Sequence, residues 1–311
     1  MRVVVDSLLA LARWYYSLSL EEVTVGGLTW SYLDSHRPTD EIVVVLHGFS
    51  SVKESMLRCI RPLFNDYRVI MPDLPGHGNT SSDLESYRAD EQADRLFAFL
   101  DRVLPPSRKI HLVGCSMGGM ISGVFAARHS DMIASVTLIC PAGITMPTKS
   151  PIFKVYEETG ENHMRVEKPE DFTRLQEYMA FRQRYIPRFI VHFIVREVEK
   201  RRDALEKLMR DILLDASVLD DCLDKIHRPC LVVWGNHDKI LDISCLEVVK
   251  AKIKPHLRVK VVDDAGHIVH QERHWEVAEC LVEFLQSLPK STETPAARSI
   301  QGAPNDATTR A

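Results

Sequence analysis

Short apolar runs alternate along the chain with longer stretches in which apolar residues recur every three or four positions. Residues 23–25 and 28–33, parted by Gly26-Gly27, predict a β-hairpin with a two-residue turn. Between Glu41 and His47 the chain is apolar without a break, the pattern of a strand covered on both faces. Further strands are predicted at 67–73, 109–115, 134–140, in the stretch 230–238 and at 258–262. Helical spacing falls between them, at 55–63, 120–129, 245–254, 272–288 and most clearly at 88–104, where Ala93, Leu96, Phe97, Leu100, Val103 and Leu104 share a face and Pro105-Pro106 ends it. Strands alternating with helices in this way imply an α/β fold, a mostly parallel central sheet with helices on both faces and right-handed crossovers.

The alternation stops between Ile144 and Ala216. This stretch is helical and charge-rich, with a helix start at Pro169-Glu170-Asp171-Phe172 and a break at Pro187. It is expected to be a helical cap, 144–216, inserted into a core formed by 19–143 and 217–289. Within it an apolar patch from Phe189 to Val195 precedes Arg196, Lys200, Arg201 and Arg202. Two readings stand for that patch: lining for an acyl pocket or a membrane contact, and a cap helix packed on its own sheet with a solvated basic face. Residues 1–18 are apolar but interrupted by Asp6 and Arg13. They are expected to form either an interfacial helix carrying Trp14, Tyr15 and Tyr16 or a helix packed against the domain. Residues 290–311, rich in Thr, Ala and Pro, have the composition of a disordered tail.

Charge and cysteine usage narrow the classes further. A formal charge of −4 and a pI near 6.4 provide no broad basic field, which argues against a nucleic-acid partner. The 7 cysteines are scattered and never form Cys-x-x-Cys, so neither a disulfide framework nor a zinc site is expected, and a reducing, cytoplasmic compartment is. No run reaches the roughly 18 to 20 apolar residues of a membrane span.

The candidate chemistry lies at the strand ending Gly114-Cys115-Ser116-Met117-Gly118, a Gly-x-Ser-x-Gly followed directly by helix-forming sequence. Such a strand, sharp turn and helix form a nucleophile elbow, with Ser116 above a helix N-terminus. A serine hydroxyl is a weak nucleophile and needs a general base and a group that orients it. Asp238 and His267 follow the two strands after the cap, in the order Ser, Asp, His expected of α/β-hydrolases. The rival acid position, after the strand that follows the elbow helix, reads Cys140-Pro141-Ala142-Gly143 and holds no carboxylate. Asp73 and Asp242 are read as loop-structuring residues. His267, His270 and His274 have a spacing that could suggest metal ligation, but no carboxylate and water arrangement suited to metal hydrolysis accompanies them, so neither a metal nor an organic cofactor is expected. The backbone N–H groups of Met117, after the nucleophile, and Phe49, after the third strand, are the candidate oxyanion donors.

Taken in order, His47-Gly48-Phe49-Ser50, Met71 to Gly78, His111 to Gly119, Cys140 to Gly143, Trp234 to Asp242 and Gly266 to Arg273 resemble the membrane-associated monoacylglycerol lipases of the α/β-hydrolase-domain family. The likeness spans about residues 14–288 and is weakest in the cap. It implies hydrolysis of monoacylglycerols, and of lysophospholipids as a further class, through an acyl-enzyme with Ser116 as nucleophile, Asp238 as acid and His267 as base. It also implies a lipid ester as partner and a peripheral membrane association. The chain departs from that group in having no membrane-spanning N-terminal helix, in His274 where proline is usual, and in Cys115 where threonine is common. Two other readings keep their place: a carbon–carbon bond hydrolase or soluble carboxylesterase with the same triad, and a noncatalytic binding protein on the same fold.

Overall fold

A computed structural model describes residues 2–183, 185–254 and 256–289, without the side chains of residues 2–6 and 8. Eight strands form one sheet: β1 (Ser19–Val25), β2 (Leu28–Asp34), β3 (Ile42–Leu46), β4 (Arg68–Pro72), β5 (Ile110–Cys115), β6 (Ile133–Ile139), β7 (Cys230–Gly235) and β8 (Leu257–Val262). Their order across the sheet is β1-β2-β4-β3-β5-β6-β7-β8. β2 runs antiparallel to both β1 and β4, and every later pairing is parallel. The central strands β3, β5 and β7 are buried at every position, which is why their sequences carry no polar alternation.

Helices α1 (Arg2–Tyr15), α2 (Leu57–Ile60), α3 (Ala89–Val103) and α4 (Met117–Arg128) precede β6. Four more, α5 (Pro151–Thr159), α6 (Pro169–Met179), α7 (Arg188–Glu199) and α8 (Arg202–Leu214), lie between β6 and β7, and α9 (Cys245–Lys252), α10 (Val269–Glu272) and α11 (His274–Gln286) complete the chain. Most of the expected elements are present, with three informative differences. The hairpin is longer, because β1 begins at Ser19 and pairs along its whole length with β2. The helix expected at 55–63 is a short α-helix between two 3-10 turns, the second holding Pro62, which has no N–H to donate. The helix expected at 272–288 begins at His274, and an unexpected turn of helix, α10, precedes it, parted from it at Arg273, whose φ of −120° and ψ of 41° break the spiral.

The helices between β6 and β7 are tied to the sheet layer by polar contacts. Arg201 donates to Gly78 O at 2.7 Å, and Lys207 donates to Leu84 O at 3.0 Å. Buried Asp211 and Asp215 accept from the N–H groups of Tyr87 and Ala89 at 2.6 and 2.7 Å. In α7, Val191 and Val195, one turn apart, face inward, while Phe189 is 55% exposed. At the other end, Arg13 of α1 pairs with Glu54 at 3.5 Å and Tyr16 packs on Phe64, leaving Leu11, Trp14 and Tyr15 more than half exposed. No helix among the described residues is long and apolar enough to cross a membrane. Of the expected tail, residues 290–311 lie outside the described residues.

Candidate active site

Ser116 sits between β5 and α4 with φ of 54° and ψ of −117°, a conformation that costs a non-glycine residue about 1 to 3 kcal/mol. The surroundings over-determine it. Ser116 N donates to Ile139 O at 2.9 Å, and Ser116 O accepts from Met120 N and Ala142 N at 3.0 and 3.1 Å. The flanking glycines allow the tight turn: a Cβ on Gly114 would lie 2.2 Å from Gly118 O, and one on Gly118 would lie 2.4 Å from His47 O. Gly48 lets the loop after β3 approach too, less tightly, since its Cβ would stand 3.3 Å from that of Ser116.

Three side chains distant in sequence meet here. Ser116 Oγ is 2.9 Å from His267 Nε2, and His267 Nδ1 is 2.8 Å from Asp238 Oδ2. The other carboxylate oxygen, Oδ1, accepts from Ile240 N and Leu241 N, both at 2.9 Å. A carboxylate can only accept, so Nδ1 carries the ring hydrogen and Nε2 is left free to accept from the serine hydroxyl. Asp238 and His267 are buried, whereas Ser116 is half-buried, so the pair is shielded while the hydroxyl is reachable. Met117 is the first residue of α4 and its N–H has no intrahelical acceptor. Phe49, the other expected donor, follows Gly48 on the loop beside Ser116 and sets its ring edge-on to His77.

That loop rests on buried polar residues, of which sequence reading gave a structural role to Asp73 alone. His47 donates from Nδ1 to Gly48 O at 2.8 Å and accepts Leu74 N–H at Nε2, at 3.0 Å. His77 donates to Pro75 O at 3.2 Å and accepts Ser50 N–H at 3.0 Å. Burial pushes both imidazoles below their ordinary range, His77 to about 3, which keeps them neutral and able to accept. Beneath them Lys53 Nζ meets Asp73 Oδ2 at 2.5 Å, both side chains out of solvent. Burial alone would raise the Asp73 carboxyl; the Lys53 charge, His47 and hydrogen bonds from Lys53 together outweigh it and hold Asp73 below its ordinary value. Asp242, as expected, orders its own loop by accepting Ser244 N–H at 2.9 Å.

The other candidate ligands disperse. His270 is buried 3.4 Å from Cys115 Sγ, and burial and the neighbouring His267 push it to about 3. His274 turns to Arg58, so the rings of His267, His270 and His274 each engage a different neighbour. Among the described residues the donor atoms of Cys140, Asp238 and His267 lie within 4.8 Å of one another. Burial raises the Cys140 thiol well above its ordinary range, and both His267 nitrogens are already engaged. A cation at this point would need a thiolate and a free imidazole nitrogen, so the donor set fits a thiol against an acid–base pair better than a metal.

An elbow serine, an acid after one strand and a histidine after the next are the arrangement of one enzyme class, and the chain belongs to the alpha/beta hydrolase family, whose pattern it matches over residues 43–279. Over 304 residues it is 31% identical to the monoacylglycerol lipase abhd6-A of Xenopus laevis, covering 92% of this chain and 89% of the relative. Lipase 3 of Moraxella sp. (strain TA144) is 29% identical, with 88% and 89% covered. A solved structure of a membrane phospholipase A, described as a bacterial virulence factor, superposes with a TM-score of 0.83 at 32% identity, covering 92% of this chain and 91% of that one. A meta-cleavage product hydrolase from Pseudomonas fluorescens IP01, at 19% identity and a TM-score of 0.73, shares the fold alone. The resemblance read from the motifs thus holds for the family and for relatives named as lipases.

Proposed function

We propose that the protein is a serine hydrolase that cleaves carboxylic esters of lipids, with monoacylglycerols as its substrate class. The observation that carries the mechanism is the continuous hydrogen-bond chain from Ser116 Oγ through His267 to Asp238, at 2.9 and 2.8 Å. In this reading His267 Nε2 takes the hydroxyl proton as Ser116 Oγ bonds to the acyl carbon. The oxyanion accepts hydrogen bonds from the N–H groups of Phe49 and Met117. The tetrahedral species collapses as His267 returns the proton to the departing glycerol oxygen, leaving the acyl chain on Ser116. Water, deprotonated by the same ring, then adds to the acyl carbon and releases the fatty acid, restoring the serine hydroxyl.

The lipid assignment draws on the relatives named as lipases and on the apolar surface of the first helix. Leu11, Trp14 and Tyr15 are exposed to 59, 76 and 58%, which suits a peripheral contact with a lipid surface. All 7 cysteines are free thiols, in keeping with the cytoplasmic side. The residues from α5 to α8 act as the cap over the site. The test is turnover of a panel of monoacylglycerols, lysophospholipids and short esters by the wild type and by Ser116→Ala, alongside fluorophosphonate labelling. Labelling and turnover that both vanish in Ser116→Ala support the mechanism; turnover that survives overturns it. A preference for short water-soluble esters, or for a carbon–carbon bond in a diketone, would overturn the lipid assignment alone.

A further inference from the structure

The mechanism leaves one carboxylate near the site unused. Glu272 closes the single turn α10, where an acid meets the partial negative charge of free carbonyl ends and gains nothing locally. Its partners are three backbone N–H groups. Oε2 accepts from Gly266 N at 2.8 Å and from Phe181 N at 3.1 Å, and Oε1 accepts from Arg182 N at 3.0 Å. One of these donors is the residue before His267; the other two lie 91 and 90 positions away in sequence, just past the end of α6.

The two segments touch elsewhere as well. Ile268 N donates to Met179 O at 3.1 Å, so one neighbour of His267 bonds directly to the end of α6 while the other, Gly266, is joined to residues 181 and 182 through the shared Glu272 carboxylate. The approach is close enough to require glycine: a Cβ on Gly266 would stand 2.6 Å from Met179 O and 2.9 Å from Phe181 N. The acid loop takes part too, since Phe181 stacks on His237 at 4.3 Å between ring centroids and His237 adjoins Asp238. We propose that Glu272 is a positioning residue that fastens residues 179–182 to the His267 loop, so that the base is held from the cap side as well as from the sheet.

This rests on His267 being the base of the proposed reaction. A histidine fixed only by its own strand end would sample positions away from Ser116, and a misplacement of about 1 Å can cost on the order of 100-fold in rate. Removing the carboxylate frees all three N–H groups at once. Glutamine leaves one carbonyl oxygen to accept and turns its NH2 group toward a donor, so it repairs the contact in part.

The experiment compares Glu272→Ala, Glu272→Gln and Gly266→Ala in the full chain. Turnover of a short soluble ester is normalised to fluorophosphonate-labelled serine, which removes any unfolded fraction, and hydrogen exchange is followed by mass spectrometry. The expected result for Glu272→Ala is a kcat lower by about tenfold or more with KM changed far less. Exchange should quicken in 179–182 and 266–268 together, with Glu272→Gln intermediate in both readouts. Gly266→Ala breaks the same contact from the other side, so its effect combined with Glu272→Ala should be less than additive. Unchanged exchange in 179–182, kcat per labelled serine within about twofold of wild type, or full additivity overturns the proposal, and the glutamine variant decides it if alanine does not fold. Turnover retained by Ser116→Ala would sink the proposed function, while the exchange in the Glu272 variants would still decide whether the fastening exists.

Discussion

Replacing Lys53 with methionine tests the support beneath the loop after β3. Lys53 and Asp73 are 2 and 0% exposed in their side chains, with Nζ and Oδ2 2.5 Å apart. Removing one member of such a pair leaves a buried charge without compensation, a change that costs about 3 to 5 kcal/mol. Asp73 keeps the N–H groups of residue 53 and Asn79, at 2.9 and 3.0 Å, so the loss should fall near the lower end, about 3 kcal/mol. That is a large part of the stability of an ordinary domain. The dependence on pH has a definite sign. In the wild type the Asp73 carboxyl is held below its ordinary 3.8, so its stabilisation is present above that pH and disappears as the pH falls through the folded-state value. Without Lys53, desolvation dominates and the carboxyl is raised; Glu54, already raised by burial and lowered by Lys53, shifts the same way. The deficit of Lys53→Met should therefore be larger at about pH 8 than at about pH 5. Urea unfolding of both proteins at the two pH values measures it, and adding Asp73→Asn should restore much of the loss. A deficit under about 1 kcal/mol, or one that grows on acidification, would refute the reasoning.

Gly118→Ala should destabilise by about 3 kcal/mol or more, because its Cβ would meet the backbone oxygens of His47 and Leu46 at 2.4 and 2.7 Å and neither is free to move. A thermal midpoint within a few degrees of wild type would show that the elbow opens more easily than this packing allows. Burial raises Cys59 and Cys230 to about 12, and Cys115, Cys140 and Cys245 are buried as well. A thiol reagent applied to the native protein near pH 8 should reach only Cys222 and Cys280, with all 7 cysteines reacting after denaturation. Native labelling of Cys115 or Cys140 would contradict the closed packing around the serine.

What could be read from the sequence was whatever burial on both faces writes into a strand. The run from Ile42 to Leu46 is legible because nothing in it meets water. The first four residues of β1, Ser19 to Glu22, were not: they lie on an edge strand with exposed alternate positions, and their pairing with β2 gives their composition no signature. The break at Arg273 is carried by neither glycine nor proline, so the expected start at Glu272 runs across it, and the single turn α10 before it was not read. At the site, Ser116, Asp238 and His267 announce themselves through glycine spacing and position after strands, and the structure brings those three together. Lys53 and Glu272 do not. Their partners are a carboxylate 20 residues away and backbone N–H groups 6, 90 and 91 residues away, and a residue that binds backbone leaves no complementary side chain to recognise.

β6 and β7 are neighbours in the sheet, with Ile139 opposite Val233, yet residues 140–229 leave and return between them. An excursion whose two ends are already clamped side by side is nearly indifferent to its own length, since doubling it changes the closure entropy by only about 0.6 kcal/mol. The helices from α5 to α8 can therefore be lengthened, trimmed or replaced over evolutionary time while Ser116, Asp238 and His267 keep their strand ends. The few residues that stitch the excursion back to the loops, Arg201 on Gly78 O and Glu272 on the N–H groups of 181 and 182, bound how far such changes can go.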